Sequence, residues 1–132
     1  MSFLIDTDVC SAYLRGPGPL FHRFMQYSGR LNVSAVTLAE LYTWTLRRNS
    51  SPRFQAVLNA LLNDVQVLEV DHAIARRFGE VRAQLLDQGQ SAPPMDMLIA
   101  ATALVHNLIV VTHNIADFNH VPGLQVVDWL TP

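Results

Sequence analysis

Short, continuous apolar runs alternate along this chain with longer stretches in which apolar residues recur every three or four positions. Phe3-Leu4-Ile5 is the first run. It stops at Asp6 and reads as a buried parallel strand. Leu31-Asn32-Val33, Val65 to Val70, Leu108 to Val111 and Leu124 to Val127 predict four more strands. Between them, Asp8 is placed to cap a short helix through Leu14 that Gly16-Pro17-Gly18 would stop, and a second helix spans about Leu20 to Tyr27. Ser34 is a suitable N-cap for a helix from Ala35 to about Arg48, with Val36, Ala39, Thr43 and Leu46 as its expected inward face. Asn49-Ser50-Ser51-Pro52 is a break, and Phe54 to Asn63 is apolar at helical spacing.

Asp71 is expected to cap a long amphipathic helix to about Gln88, with Ala75, Phe78, Val81 and Leu85 inward. The polar segment 88–94 is the stretch whose composition most favours flexibility. Pro93-Pro94 then opens a helix from about Met95 to His106, proline being favoured at the first helical position. Strands alternating with helices predict an α/β sandwich with a mostly parallel sheet of about five short strands.

Composition narrows the classes. A length of 132 residues fits one domain, residues 1–132, and half of the residues are apolar while 15% are charged, which argues against disorder. No apolar run approaches the roughly 20 residues that span a bilayer, and the N-terminus has no basic segment of a signal peptide. Cys10 is the only cysteine, so no internal disulfide forms and the expected location is the cytoplasm. The net charge of −2 supplies no global field for nucleic acid, and all nine basic residues are arginine. The lack of lysine matters below.

Most of the eleven acids, among them Asp64, Glu69, Glu80, Asp87 and Asp128, suit solvated faces. Four are harder to dismiss. Asp6 closes the first strand, where ligands of open α/β sheets bind. Asp96 opens a helix dominated by Ile99, Ala100, Ala101 and Ala103; by itself it is a favourable charge at a helix start, worth about 0.3–1 kcal/mol. Glu40 interrupts the nearly apolar Val36-Thr37-Leu38-Ala39-Glu40-Leu41-Tyr42, where an ionised carboxylate needs a cation or an arginine such as Arg47 or Arg48. Asp117 follows the fourth strand and alone would be an ordinary loop acid. Strands one and four are expected to be neighbours, which brings Asp6 and the segment Thr112 to Asp117 to one end of the sheet. Clustered carboxylates resist ionisation unless a cation joins them, and oxygen-only ligands suit magnesium or manganese. Such a site can bind a phosphodiester, activate water and stabilise the leaving oxygen.

Three segments carry a resemblance to a known family. Leu4-Ile5-Asp6-Thr7-Asp8-Val9, Ser34-Ala35-Val36-Thr37-Leu38-Ala39-Glu40-Leu41, and Pro94-Met95-Asp96-Met97-Leu98-Ile99-Ala100-Ala101-Thr102-Ala103 with its continuation through Thr112-His113-Asn114 to Asp117-Phe118 resemble PIN-domain ribonucleases of the VapC toxin type. The likeness spans essentially the whole chain and implies a three-layer α/β/α sandwich. It also implies Asp6, Glu40 and Asp96 as core acids and metal ligands, with Asp117 at a more variable fourth position. Some relatives carry an acid where this chain has Asn114. Thr7 and Thr112 match polar positions that orient ligands or water, and Asp8 stands where the family often has asparagine. The resemblance further implies Mg²⁺ or Mn²⁺, an RNA substrate cut to 5′-phosphate and 3′-hydroxyl ends, a VapB-type antitoxin, and a homodimer or a hetero-oligomer with that antitoxin.

Rival readings differ in what they need. Asp6-x-Asp8 also resembles the nucleophile motif of haloacid-dehalogenase phosphohydrolases, but Cys10 stands where that motif has Thr or Val and the usual lysine is missing. A receiver domain fails for the same want of lysine and of an acid ending the third strand. A catalytically inactive PIN-like binding module stays open. The five histidines have no metal-ligand spacing, and Cys10 is expected in the core. Arg47, Arg48 and Arg53 are candidate RNA contacts, since an RNA-cleaving protein of this net charge needs local arginines. Tyr42, Trp44, Phe21 and Phe24 fit either a core or a contact surface for antitoxin or a second copy.

Overall fold

A computed structural model describes residues 1–131 and has five parallel strands in the order β3-β2-β1-β4-β5. The strands are β1 (Phe3–Ile5), β2 (Leu31–Ser34), β3 (Gln66–Leu68), β4 (Ile109–Val111) and β5 (Val126–Val127). Six helices connect them: α1 (Thr7–Arg15), α2 (Leu20–Gln26), α3 (Ala35–Leu46), α4 (Pro52–Asp64), α5 (His72–Asp87) and α6 (Pro94–His106). Side chains alternate across a strand, so β1 serves two cores. Phe3 and Ile5 pack with residues of α1 to α4, and Leu4 packs with α5 and α6. The result is the three-layer α/β/α sandwich that the apolar pattern and the resemblance predict.

The chain runs outward from β1 to β3 and returns to the other side of β1 with β4. Ligands in such sheets bind beyond the carboxyl ends of the strands where this order reverses. Here that place lies between β1 and β4, whose register pairs Ile5 with Val111. The next residues, Asp6 and Thr112, therefore emerge side by side. Asp6 N–H donates to Val111 O at 2.9 Å and Thr112 N–H to Val127 O at 3.0 Å.

Two helix faces differ from the expected ones. On α3 the buried positions are Thr37 and Leu41, with Leu38 and Tyr42 partly buried against the same core, whereas Ala39, Thr43 and Leu46 are exposed. In so apolar a helix the three-to-four spacing fits more than one stripe, and the packing of α1 and α4 against α3 selects this one. On α5 the inward set is Ile74, Val81 and Leu85, with Phe78 partly buried against the same core as expected; Ala75 is exposed. The cap of α1 also differs. Asp6, not Asp8, is the N-cap and accepts from Thr7 N–H at 2.8 Å.

The segment 88–94 is held despite its composition. Arg82 Nε donates to Ala92 O at 3.1 Å, His120 Nε2 lies 3.0 Å from Ser91 O, and Ala92 is buried. After β5 the chain is pinned by Trp129, whose ring stacks on Tyr27 with centroids 5.6 Å apart and tilts against Phe3 at 4.9 Å. Phe24 joins this core, while Phe21 and Trp44 lie largely exposed.

The revised face of α3 sets an expectation. Leu41→Ala should destabilise by about 2–5 kcal/mol through lost burial and a cavity, whereas Leu46→Ala should stay within about 0.5 kcal/mol. Urea unfolding of the two variants checks this; equal effects would contradict the packing described.

Candidate functional site

Asp6 owes its position to two jobs at once. It is the residue after a strand and the residue before a helix, so its backbone is fixed on both sides. Its Oδ1 caps α1, and its Oδ2 accepts from Thr112 Oγ at 2.9 Å. The carboxylate is 7% exposed. Asp8, in the first turn of α1, accepts from the backbone N–H of His113 at 3.0 Å and from Asn114 Nδ2 at 3.2 Å. It thereby ties the loop after β4 to α1. Asp128 grips the same loop through His113 Nδ1 at 3.2 Å while accepting from Leu130 N–H, Thr131 N–H and Thr131 Oγ. Although partial burial works against its charge, these hydrogen bonds hold Asp128 below the usual carboxylate range.

Glu40 enters from α3. Thr7 Oγ donates to its Oε1 at 2.8 Å and lies 3.2 Å from Thr37 Oγ. Thr37, fully buried on α3, is a support that sequence reasoning missed. Its position three residues before Glu40 is the local signal that could have found it, had the inward stripe been read correctly. Asp96 comes from the first turn of α6 on the opposite layer, and Asp117 from a short 3₁₀ helix, Ile115–Asp117, that the apolar pattern does not predict.

Asp6, Glu40, Asp96 and Asp117 line one open cavity of about 720 Å³, together with Thr7, Asp8 and Asn114. Burial and neighbouring charge raise the proton affinity of two of them, Asp6 and Asp96. Burial first, then the neighbouring charge of Asp8, raises Asp6 from the ordinary 3.8 to about 6, against the opposing hydrogen bonds from Thr7 and Thr112. Asp96 is raised by burial and by Asp117, Glu40 and Asp8. Among the described residues the only ion pair is His113–Asp128, so the arginine partner that Glu40 would have as an edge residue is not there. No group of three acids, histidines or cysteines among the described residues is drawn in to the spacing of a closed metal-ligand set. The carboxylates face a shared space without converging on one point.

The remaining candidates divide. Arg47 lines the cavity and lies over the Trp44 ring, with its guanidinium 6.0 Å from the centroid. Arg48 does not line it, and Arg53 borders a separate, smaller hollow near Asp64. Arg15, which sequence reasoning passed over, lines the main cavity, and its spacing of seven from Asp8 on α1 is the pattern that marks it. Cys10 is fully buried, with burial pushing its thiol pKa up, and takes no part.

Comparison with known proteins places the fold. The PIN domain family model matches residues 3–124. The chain is 34% identical over 130 residues to a tRNA(fMet)-specific endonuclease VapC of Shigella flexneri, covering 98% of each. It is 30% identical over 131 residues to a ribonuclease VapC2 of Haemophilus influenzae, covering 98% of this chain and 99% of that protein. Among solved structures, that of DNA-bound VapBC from Salmonella typhimurium superposes with a TM-score of 0.89 at 30% identity, covering 98% of each chain. VapBC-1 from nontypeable Haemophilus influenzae gives 0.83 at 27% identity, covering 99% and 100%.

The raised Asp6 pKa has a signed consequence for stability. Between about pH 4 and 6 the folded protein holds this proton more tightly than the unfolded chain, so stability falls as pH rises through that window. The loss is on the order of 3 kcal/mol for the metal-free protein. Asp6→Asn keeps the Oδ1 cap and removes the charge. It should therefore be more stable than the parent at about pH 7.5 in chelator and show no such gain at about pH 4. Urea midpoints at the two pH values measure the difference; a gain that is the same at both would refute the electrostatic cause.

Proposed function

This chain belongs to the PIN domain family, and from that premise we propose that it is a metal-dependent endoribonuclease, the toxin of a type II toxin–antitoxin pair. Its reaction is hydrolysis of RNA phosphodiester bonds to 5′-phosphate and 3′-hydroxyl ends. One observation carries the reading: four carboxylates from separate elements, on both layers of the sandwich, face one cavity with no arginine paired to them among the described residues. A packing arrangement that gathered these charges for stability alone would work against itself.

The donor set fits a hard divalent cation. Among the described residues the cavity lining offers carboxylate, hydroxyl and amide oxygens and neither histidine nor cysteine. Magnesium keeps several waters and takes one or two carboxylates, so it needs no complete cage of protein ligands. Asp6 and Asp96 would hold it, with Glu40 and Asp117 completing the set. When bound, such an ion supplies charge neutralisation for a phosphodiester and acidifies a water.

The chain's own residues do the rest. The Thr112 hydroxyl keeps Asp6 Oδ2 in one orientation, and Thr7 does the same for Glu40 Oε1. The other oxygen of Glu40 can then accept a proton from the attacking water. Asp8 and Asn114 keep the loop carrying Asp117 docked at the mouth. The relatives named as VapC ribonucleases and the solved VapBC complexes support an RNA substrate and a VapB-type antitoxin partner. The tRNA(fMet)-specific relatives make that tRNA the first substrate to offer.

Asp6→Asn and Asp96→Asn should each reduce RNA cleavage by more than about a hundredfold while unfolding cooperatively, and Thr112→Val should cost about 10–100-fold. Chelation should abolish cleavage and added Mg²⁺ or Mn²⁺ restore it. Because proton and cation compete for Asp6, the metal concentration for half-maximal cleavage should rise as pH falls through about 6. Near-parental cleavage by either asparagine variant, or full cleavage in chelator, would falsify the proposal.

A further inference from the structure

Two side-chain rows leave the acid end of the cavity in the same sense. On α1, Asp8, Ser11 and Arg15 follow one another at intervals of three and four residues; along α3 and its C-cap residue, Glu40, Trp44 and Arg47 do so at four and three. Such spacings put side chains on one helix face, successive members about 5–6 Å apart. All six residues line the cavity. Each row thus begins with an acid and ends with an arginine, and the two helices pack against each other. The cavity is therefore a groove with an anionic end and a cationic end.

The cationic end is built and unspent. Arg15 is steadied by Ser11, its Nη1 donating to Ser11 Oγ at 3.0 Å, and Arg47 lies over the Trp44 ring. Neither has a carboxylate partner among the described residues. Trp44 is 61% exposed, so its ring is open for stacking. Ser50, on the same wall, has a buried hydroxyl with no hydrogen-bond partner.

We infer that Trp44, Arg15 and Arg47 form a nucleotide subsite that holds single-stranded RNA next to the phosphate being cut, Trp44 stacking a base and the arginines contacting the flanking phosphates. The inference rests on the ribonuclease reading and deepens it. Beside its five carboxylates the lining carries two arginines at the far end and apolar walls at Leu14, Leu41 and Phe54, and single-stranded RNA is the occupant that meets both, with phosphates for the arginines and a base for the tryptophan. Flanking phosphates meet arginine about two helical turns from the acids, where a phosphate needs a cation. Stacking on an aromatic face beside guanidinium groups is the usual way single strands are held without base readout. It also answers how a chain of net charge −2 could hold RNA at all.

The test uses the full chain carrying Asp96→Asn and an unstructured oligoribonucleotide of about eight nucleotides, within the span that such grooves take. Tryptophan emission should be quenched on titration, and the quenching should vanish in Trp44→Phe, which leaves only the buried Trp129 to report. Trp44→Ala should weaken binding about tenfold while Trp44→Phe keeps most of it. Arg15→Gln and Arg47→Gln should each reduce the slope of log affinity against log salt by about 0.7, a signature a merely structural role would not give. Cleavage by the parent with unchanged emission and unchanged salt slopes would overturn the subsite and leave the ribonuclease reading standing. Neither binding nor cleavage of RNA by the parent would overturn both. Emission that responds to a peptide and never to RNA would assign the groove to a protein instead.

Discussion

The parallel pairing of β1 with β4 is the constraint on which the site depends. Because Ile5 lies opposite Val111, the residues that follow, Asp6 and Thr112, leave the sheet together and bond through their side chains at 2.9 Å. A slip of one residue would turn every side chain of β1 to the other face and send Asp6 away from the switch point. The register is secure because both faces of β1 are buried, Phe3 and Ile5 in one core and Leu4 in the other. Stability of the sandwich and placement of one carboxylate are the same fact.

From that fixed point the electrostatics follow. Asp8 is carried by the helix Asp6 caps, Glu40 is steadied through Thr7, and Asp96 and Asp117 approach from the opposite layer. Burial first, and then these neighbouring charges, disfavour the ionised forms of Asp6 and Asp96. The molecule has arginines within reach of the same groove yet does not use them to relieve the strain. Helix geometry explains why: Arg15 and Arg47 stand about two turns along their rows from Asp8 and Glu40, so charge of both signs is kept apart in one cavity. That separation favours a ligand able to satisfy both ends. Proteins commonly carry such destabilised clusters at sites of function.

Much was legible without coordinates. Each strand and each α-helix could be located from apolar periodicity, capping residues and Gly/Pro breaks, with differences of a few residues such as β3, where only Gln66–Leu68 pairs; the 3₁₀ turn Ile115–Asp117 could not. Those signals are local, and short parallel strands buried on both faces are distinctive. Of the four acids only Asp6, closing an apolar strand, and Glu40, inside an apolar helix, sat against their surroundings; Asp96 and Asp117 were ordinary by themselves and gained weight from the set and from the resemblance. The inward face of α3 was not legible. An almost wholly apolar helix offers several stripes of equal merit, and the choice of Thr37 and Leu41 over Ala39 and Leu46 was made by α1 and α4.

What the chain determined by itself was therefore its inventory: which segments are strands or helices, which carboxylates are out of place, and that every cation is an arginine. Tertiary structure decided what those groups do to one another. It made Asp6 a helix cap as well as a strand end, aimed Thr37 at Thr7, left Arg48 and Arg53 out of the main groove and brought Arg15 in. The physical reason is range. Propensity and capping act over a few residues, whereas the convergence of positions 6, 40, 96 and 117 depends on strand register and on which helices share a face, and neither is written in any one segment.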